Sequence, residues 1–259
     1  MINLKKTAFI CLISLIMFSC SKGEKKVVAS YEDGKPFIVE YLKTKDGKKV
    51  KTYEEHFYNN GKLRLEGKFN NKNKSGIWKY YFEDGTLFAQ ADYSKNKNGE
   101  DWQFYFDEDS VLVNKNDKII AIAFSNEGTP VSVRIKKDDK GEIFYRFFNS
   151  FKIMERVNLK GNIPQGEAMS WHENGNINSI HYYIDGMQDS TYTVYAENGQ
   201  KIISGKFNKG NRIGKWEYFS SEGKPLGYEI YDIDGTKLSK QDNQGLTYST
   251  TPPSKRKNS

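Results

Sequence analysis

The sequence predicts an all-β protein, an array of antiparallel β-hairpin repeats of about 24 residues forming an extended twisted sheet. Three observations indicate it: an Asn-Gly, Asp-Gly or Glu-Gly pair recurring every 24 residues, an aromatic residue four positions before each of these glycines, and flanking runs of strand length. Aromatic residues make up 14% of the chain, against a hydrophobic content of only 37%. Apolar area that comes mainly from rings suits broad, half-exposed sheets.

The turn glycines show the repeat most clearly, and we expect them to be structural. Gly61 and Gly85 are 24 residues apart, and Gly175, Gly199 and Gly223 follow one another at the same interval. Asn-Gly and Asp-Gly pairs favour a type I′ turn, in which both central residues take a positive φ. Twenty-four residues hold two strands and two turns, so each repeat is expected to be one hairpin. One hairpin cannot bury its own face, so neighbouring copies must pack or pair edge to edge.

Aromatic residues recur seven and four positions before the turn glycine. These positions are an odd number apart, so a regular strand sends their rings to opposite faces. Either a bulge intervenes, or both faces of the sheet carry rings. We expect the rings mainly to pair across strands and stabilise the sheet. The alternative is that some rings face solvent and bind a sugar or a peptide, the candidates being Trp78, Trp102, Trp171 and Trp216.

Residues 1–19 are typical of a lipoprotein signal peptide. A Lys-Lys pair precedes an apolar run at residues 8–18, which is shorter than the roughly 20 residues that a membrane-spanning helix needs. A small residue directly before Cys20 resembles the lipobox of bacterial lipoproteins. That resemblance implies cleavage before Cys20 and its acylation, which would anchor the protein at the cell envelope, in the outer membrane on its periplasmic or surface side. An ordinary secretory signal is the alternative.

The predicted boundaries follow from these patterns. Residues 20–28 are polar and are expected to tether the array to its lipid. Residues 29–238 form the repeat domain, in which residues 114–164 fit the repeat poorly. Residues 239–259 are low in apolar side chains and are predicted to be a disordered tail.

The composition argues against most kinds of chemistry. The formal charge of +7 comes from 40 basic and 33 acidic residues, without a basic stripe that interleaves with stacking aromatics, so no nucleic-acid partner is expected. Both cysteines lie in the first twenty residues, and the histidines, His56, His172 and His181, occupy unrelated repeat positions. Nucleophile-elbow, phosphate-loop and zinc-protease motifs are missing from the sequence. We therefore predict no enzymatic activity, no cofactor and no metal.

Two segments carry a family resemblance. Residues 76–87, GIWKYYFEDGTL, and 214–226, GKWEYFSSEGKPL, resemble the MORN-repeat-variant pattern, Gly-x-Trp-x-x-Tyr followed by x-x-x-Gly-x-Leu. The chain is thus similar to the MORN-repeat-variant (YwqK-antitoxin-like) family over residues 53–113 and 165–238. Many bacterial lipoproteins carry this pattern. The resemblance implies a twisted antiparallel array that interacts with membranes or partner proteins.

We expect the chain to be a lipid-anchored, non-enzymatic binding or scaffold protein of the cell envelope that engages a protein partner through its repeat sheet. Binding of a glycan or of peptidoglycan through exposed aromatics is one alternative. Neutralisation of a toxin by direct contact is another, implied by the family's antitoxin label.

Overall fold

A computed structural model of the protein describes residues 22–94, 102–105, 117–137, 141–242 and 247–249. The described residues form nineteen β-strands and no helix, and so no helix that could cross a membrane. The first seven strands are β1 Glu24–Ser30, β2 Pro36–Lys45, β3 Lys48–Phe57, β4 Leu63–Asn70, β5 Asn73–Tyr81, β6 Leu87–Asp92 and β7 Trp102–Phe104. The other twelve are β8 Lys118–Phe124, β9 Pro130–Lys137, β10 Gly141–Phe147, β11 Ile153–Lys160, β12 Ile163–Trp171, β13 Ile177–Ile184, β14 Met187–Tyr195, β15 Lys201–Asn208, β16 Asn211–Phe219, β17 Pro225–Tyr231, β18 Lys237–Asp242 and β19 Thr247–Ser249.

Each strand pairs antiparallel with the next strand along the chain within one of two sheets. The first sheet has the order β1 to β7, and the second runs from β8 to β19. Consecutive hairpins paired edge to edge confirm the predicted all-β repeat array. The array is divided into two sheets between β7 and β8.

The turns at the five predicted glycines share one geometry. At the first of them, the amide of Gly61 donates to the carbonyl of Tyr58 (2.9 Å), and the amide of Tyr58 donates to the carbonyl of Lys62 (2.8 Å). Gly61 has a φ of 81°, but Asn60 is not among the residues with positive φ. The type I′ prediction is therefore wrong here, because a three-residue loop with only its glycine in the left-handed region makes the turn. Asn60 stabilises this loop by accepting a hydrogen bond from the amide of Lys62 (2.9 Å).

Turns of the predicted type I′ geometry occur at the other ends of the hairpins. The Asp185-Gly186 pair has φ values of 49° and 82°, and Lys209-Gly210 has values of 46° and 84°. Their flanking residues pair directly, as Ile184 does with Met187. The chain thus alternates between tight two-residue turns at one edge of the sheet and three-residue glycine turns at the other. We call the second edge the glycine edge.

Each glycine turn places a bulge in the strand that follows it, and the bulge explains part of the ring pattern. Tyr80 pairs with Ala89 and Tyr81 pairs with Leu87, so Phe88 is the extra residue. Tyr80 and Phe88 are fully buried, whereas Tyr81 is only half-buried. Adjacent residues of a strand face opposite ways, so both faces of the first sheet carry rings.

The main core lies where the two sheets face each other. Phe88 of the first sheet stacks on Phe151 of the second, with ring centroids 4.7 Å apart and planes inclined by 2°. Phe147 meets the same Phe88 ring edge-on at 4.9 Å. The first sheet contributes Leu65, Trp78, Tyr80, Phe88, Ala89, Ala91, Trp102 and Phe104, and the second Val133, Ile135, Tyr145, Phe147 and Phe151.

Residues 114–164 fit the repeat poorly in sequence, yet their described part forms regular hairpins. Phe151 stands 24 residues before Gly175 and occupies the turn position that glycine holds elsewhere, with a φ of 66°. Its amide donates to the carbonyl of Phe148 (2.9 Å), as the turn glycines do. The copy escapes detection in the sequence because its left-handed residue is not glycine.

The strands of the repeat domain extend beyond both of its predicted boundaries. Most of β1 lies in the segment expected to be a tether, where Glu24 pairs with Leu42, and most of β18 and all of β19 lie in the expected tail. An edge strand pairs through backbone groups, so it needs few apolar side chains and leaves little trace in composition. Residues 1–21, including Cys20, and residues 250–259 lie outside the described ranges.

Candidate binding surfaces

Trp78 belongs to the core that the two sheets share. Its indole is fully buried and packs on Gly67, where a Cβ atom would overlap the ring. The indole N–H donates to the carbonyl of Lys68 (2.9 Å), and Phe69 meets the ring edge-on at 5.2 Å. The ammonium of Lys74 lies 4.2 Å from the ring centroid. This ring therefore stabilises the sheet and is not available to a ligand.

The same arrangement recurs 138 residues later around Trp216. The indole is fully buried against Gly205 and donates to the carbonyl of Lys206 (3.2 Å), with Phe207 edge-on at 4.9 Å. The guanidinium of Arg212 takes the place of the lysine ammonium, 4.2 Å from the ring centroid. The repeat thus encodes a packing unit of glycine, indole, phenyl ring and cation.

Other copies fill the same space with different partners. Trp102 pairs across strands with Ala91, while Ala168 pairs with Val157. In the first pair the large ring of Trp102 faces a small alanine, and in the second the small Ala168 faces the larger side chain of valine. The volume of this packed layer is therefore shared within each cross-strand pair.

The other two tryptophans differ in exposure. Trp102 is only 7% exposed and lies between Tyr80 (5.2 Å) and Phe124 (5.4 Å) of the second sheet. The alternative that the tryptophans face solvent and bind a ligand therefore does not hold for Trp78, Trp102 and Trp216. Trp171 is half-buried, and its role as a ligand platform stays a prediction.

A cleft of about 560 Å³ opens between the sheets at the glycine edge; we call it the seam cleft. The first sheet and its turns contribute Tyr31, Phe37, Tyr58, Asn59, Arg64 and Glu83. The second contributes Ser125, Asn126, Glu127, Thr129, Asn149, Ser150 and Glu173. The lining combines aromatic rings with carboxylates, amides and hydroxyls, a mixture suited to orienting a polar ligand or a peptide segment.

Arg64 is the buried charge of the seam cleft, at 7% exposure. Its Nε donates to the carbonyl of Asn149 (3.3 Å), its Nη1 lies 3.6 Å from Glu127, and its guanidinium covers the ring of Phe151 at 5.2 Å. These contacts connect the two sheets. Burial raises the pKa of the neighbouring Tyr58, whose hydroxyl therefore stays protonated and donates to the carbonyl of Tyr81 (2.8 Å).

Glu229 sits beside Trp216 at the position where the first sheet has Ala91. Its carboxylate accepts hydrogen bonds from Tyr218 (2.7 Å), Tyr231 (2.8 Å) and Lys237 (2.7 Å). Burial disfavours the charge, but these hydrogen bonds outweigh it and lower the pKa of Glu229 to about 2. This face of the second sheet is therefore polar where its counterpart on the first sheet is packed in the core.

The first described residue is fastened to the first sheet by a group that we call the Lys22 clamp: Lys22, Tyr41, Tyr53, Glu55 and Glu66. The Lys22 ammonium pairs with Glu55 and lies 3.7 Å from Glu66 and 4.2 Å from the centroid of Tyr53. The hydroxyl of Tyr41 donates to Glu55 (2.8 Å), and that of Tyr53 to Glu66 (2.5 Å). Burial, aided by Glu55, raises the pKa of Tyr41 to about 12, so this donor stays protonated.

The histidines are not brought together. His56 is buried and contacts Glu54 (2.9 Å), whereas His172 contacts the carbonyl of Tyr195 (2.9 Å). His181 lies between the rings of Tyr183 and Tyr192. Within the described ranges, His, Cys, Asp and Glu form no group of three or more able to hold a metal ion.

Three segments of the chain match the model of the MORN repeat variant: residues 53–71, 74–95 and 164–185. Each coincides with paired strands of the array, at β3–β4, β5–β6 and β12–β13. The chain carries MORN-variant repeats. Proteins with MORN repeats generally bind proteins or membranes. The segment around Trp216 has the same packing unit as the matched segment around Trp78, so the structure extends the MORN-variant repeat beyond the matched residues.

Other comparisons add little about function. No curated protein matches this chain. Among solved structures, TcdB2-TccC3 without its hypervariable C-terminal region is 11% identical, with a TM-score of 0.19, over 88% of this chain and 12% of that one. The Tc holotoxin pore of Photorhabdus luminescens carrying the TccC3-D651A mutation is 9% identical, with a TM-score of 0.19, over 87% and 16%. The chain thus spans less than a fifth of either length.

Several functional candidates were not foreseen from the sequence. Arg64 and Glu229 carry no motif, and their importance depends on neighbours that the fold brings together. Gly67 and Gly205 had a usable signal, because both stand six residues after a turn glycine and eleven before a tryptophan.

Proposed function

We propose that the chain is a lipid-anchored, non-enzymatic scaffold of the bacterial cell envelope that holds a protein partner in the seam cleft. The observation that carries the partner site is the mixed lining of that cleft, with buried Arg64 beside the open carboxylate of Glu127. Support for the anchor comes from the lipobox-like segment that ends at Cys20.

A cleft at the seam suits a binding role because both walls are held by the core. Phe151 contacts Arg64 on its cleft side and stacks on Phe88 on its core side. Ser150, the preceding residue, donates to Glu173 (2.7 Å), which fixes one of the lining carboxylates. A preformed wall reduces the ordering cost that a partner must overcome on binding.

Photo-cross-linking in the native bacterium tests this role. A photoreactive residue at the exposed Asn126 of the cleft should capture a discrete partner protein, and the same residue at Lys209, an exposed two-residue turn, should not. Capture at both positions, or at neither, would count against the cleft as the partner site. Identification of the captured protein would also show whether the partner is a toxin.

A glycan is the second candidate ligand, and the half-buried Trp171 is the observation that favours it. Indole rings with one open face stack on sugars, and this ring is the least enclosed of the four. Sedimentation with purified peptidoglycan or surface polysaccharide measures such binding. Failure to sediment with any of them would remove this candidate.

A further inference from the structure

The described chain begins beside Leu42 of the hairpin formed by β2 and β3, where the projecting end of that hairpin starts. Gly23 packs against the backbone of Leu42, where a side chain would overlap the carbonyl group. Glu24 then pairs with the same Leu42 to start β1. The other members of the Lys22 clamp hold Lys22, the residue just before Gly23. Lys22, two residues after Cys20, is therefore held at a defined point of the first sheet.

This hairpin projects beyond its neighbours. β2 and β3 are ten residues long each. β3 pairs with β4 only from Tyr53 onward, and β1 reaches no further along β2 than Leu42. Residues 43–51 thus form a finger with which no neighbouring strand pairs on either side.

The finger and the adjoining β1 are strongly basic. Residues 22–28 and 42–51 contain eight lysines and two acidic residues, Glu24 and Asp46. Two of these lysines, Lys22 and Lys51, are ion-paired with glutamates outside the two ranges. Glu24 is neutralised by Lys49 at 2.7 Å. At the tip, Lys43, Lys45 and Lys48 are all exposed. β1 adds the exposed apolar side chains of Val27 (46%) and Val28 (43%).

We propose that this finger binds the anionic phospholipid headgroups of the membrane that holds the lipid anchor. The proposal rests on the proposed function for the position of the anchor at Cys20. Lysines near an anionic bilayer contribute attraction that adds up over the cluster. An acyl anchor combined with a basic patch holds a protein at the membrane more firmly than either signal alone.

The finger and the seam cleft lie at opposite ends of β3. The finger ends at the Asp46-Gly47 turn before β3, and Tyr58 and Asn59 of the cleft follow the last residue of β3. Ten residues of strand span about 30 Å. Binding of the finger to lipid therefore directs the cleft away from the bilayer, toward a partner.

An environment-sensitive dye on the finger tests the proposal in the processed, acylated protein. Thr44→Cys places a thiol at the exposed tip, and Thr191→Cys, on an exposed site of β14, is the matched control. Both proteins are reconstituted in vesicles of phosphatidylcholine alone or with phosphatidylglycerol. The tip dye should report bilayer contact only in the anionic vesicles, and the control dye in neither.

Charge variants then separate lysine contacts from nonspecific adhesion. Lys43→Gln, Lys45→Gln and Lys48→Gln together are expected to lower the ratio of contacting to free finger roughly a hundredfold, at about fivefold per lysine. Removal of three exposed lysines of the second sheet, Lys206, Lys209 and Lys224, should leave the ratio unchanged. Equal contact in neutral vesicles, no contact in anionic ones, or insensitivity to the tip lysines would overturn the proposal.

Failure of the anchor and failure of the finger are distinguishable. If intact mass shows no acyl chains on Cys20, flotation of the full chain on the same two kinds of vesicle still tests the finger. Flotation that rises with phosphatidylglycerol and falls with the tip substitutions would keep the headgroup site. Flotation that changes neither with phosphatidylglycerol nor with the tip substitutions would reject the headgroup site, whether or not Cys20 is acylated.

Discussion

The indole of Trp78 lies against Gly67 so closely that a Cβ atom on the glycine would overlap three ring atoms. Trp216 and Gly205 repeat this relationship in the second sheet. Because the glycine has no side chain, the indole ring can pack directly against its strand. Two residues eleven positions apart in sequence therefore act as one packing unit, and substitutions in them should not be additive.

A double-mutant cycle at Gly205 and Trp216 measures this coupling. Gly205→Val alone should lower the free energy of unfolding by about 1–3 kcal/mol through overpacking. Trp216→Ala alone should lower it by about 3–5 kcal/mol through loss of the ring. The double variant recreates the natural pair of Val157 with Ala168. Urea unfolding should show a loss at least about 1 kcal/mol smaller than the sum, whereas additive losses would contradict the shared volume.

Phe151 combines a strained backbone with a buried ring. Phe151→Ala removes the stacking on Phe88 and keeps a Cβ in the left-handed region, so it should cost about 3–5 kcal/mol. Phe151→Gly removes the same ring and relieves the backbone, so it should be about 1 kcal/mol more stable than the alanine variant. Thermal or urea unfolding ranks the two. A glycine variant less stable than the alanine variant would show that the positive φ carries no strain.

Glu229 should make the free energy of unfolding depend on pH in the acidic range. The pKa of Glu229 is lowered to about 2 from an ordinary 4.5, so its contribution is present above pH 4.5 and lost as the pH falls toward 2. Glu229→Gln should cost about 1–2 kcal/mol at pH 7, since solvent screens part of the network, and much less at pH 2. Unfolding curves across this range measure the difference. As a control, Glu197→Gln in an exposed turn should show no such dependence.

Substitution of Trp171 tests whether its indole binds a ligand or only stabilises the sheet. Trp171→Ala should leave the protein folded with a modest loss of stability, because the residue is half-buried, whereas Trp216→Ala should unfold it far more readily. Circular dichroism and polysaccharide sedimentation of both variants give the comparison. A folded Trp171→Ala protein that still binds glycan as the parent does would exclude the indole as the platform.

The hairpin array was predictable because its signals are local. A turn glycine and the rings around it report on strands within about a dozen residues, as Gly85 and Trp78 do. Phe151 shows the limit of such signals, since a bulky residue holds the left-handed turn position only because its ring is buried against Phe88. That compensation comes from a strand of the other sheet and leaves no local pattern.

The candidate binding surfaces were harder to foresee for the same reason. The seam cleft exists because the array divides between β7 and β8 and its two parts face each other, and no repeat motif records that division. Arg64 becomes a buried charge only when Asn149 and Phe151 come within reach. The tryptophans were visible in the sequence, but the burial of Trp78 and Trp102 depends on which face the other sheet covers.

Intact mass of the detergent-extracted protein, measured beside Cys20→Ala, tests the central claim that the protein is lipid-anchored. We predict a mass equal to residues 20–259 plus acyl chains, and loss of that species in the variant. An unprocessed or unlipidated mass in the parent protein would contradict the envelope anchor and, with it, the location proposed for the partner.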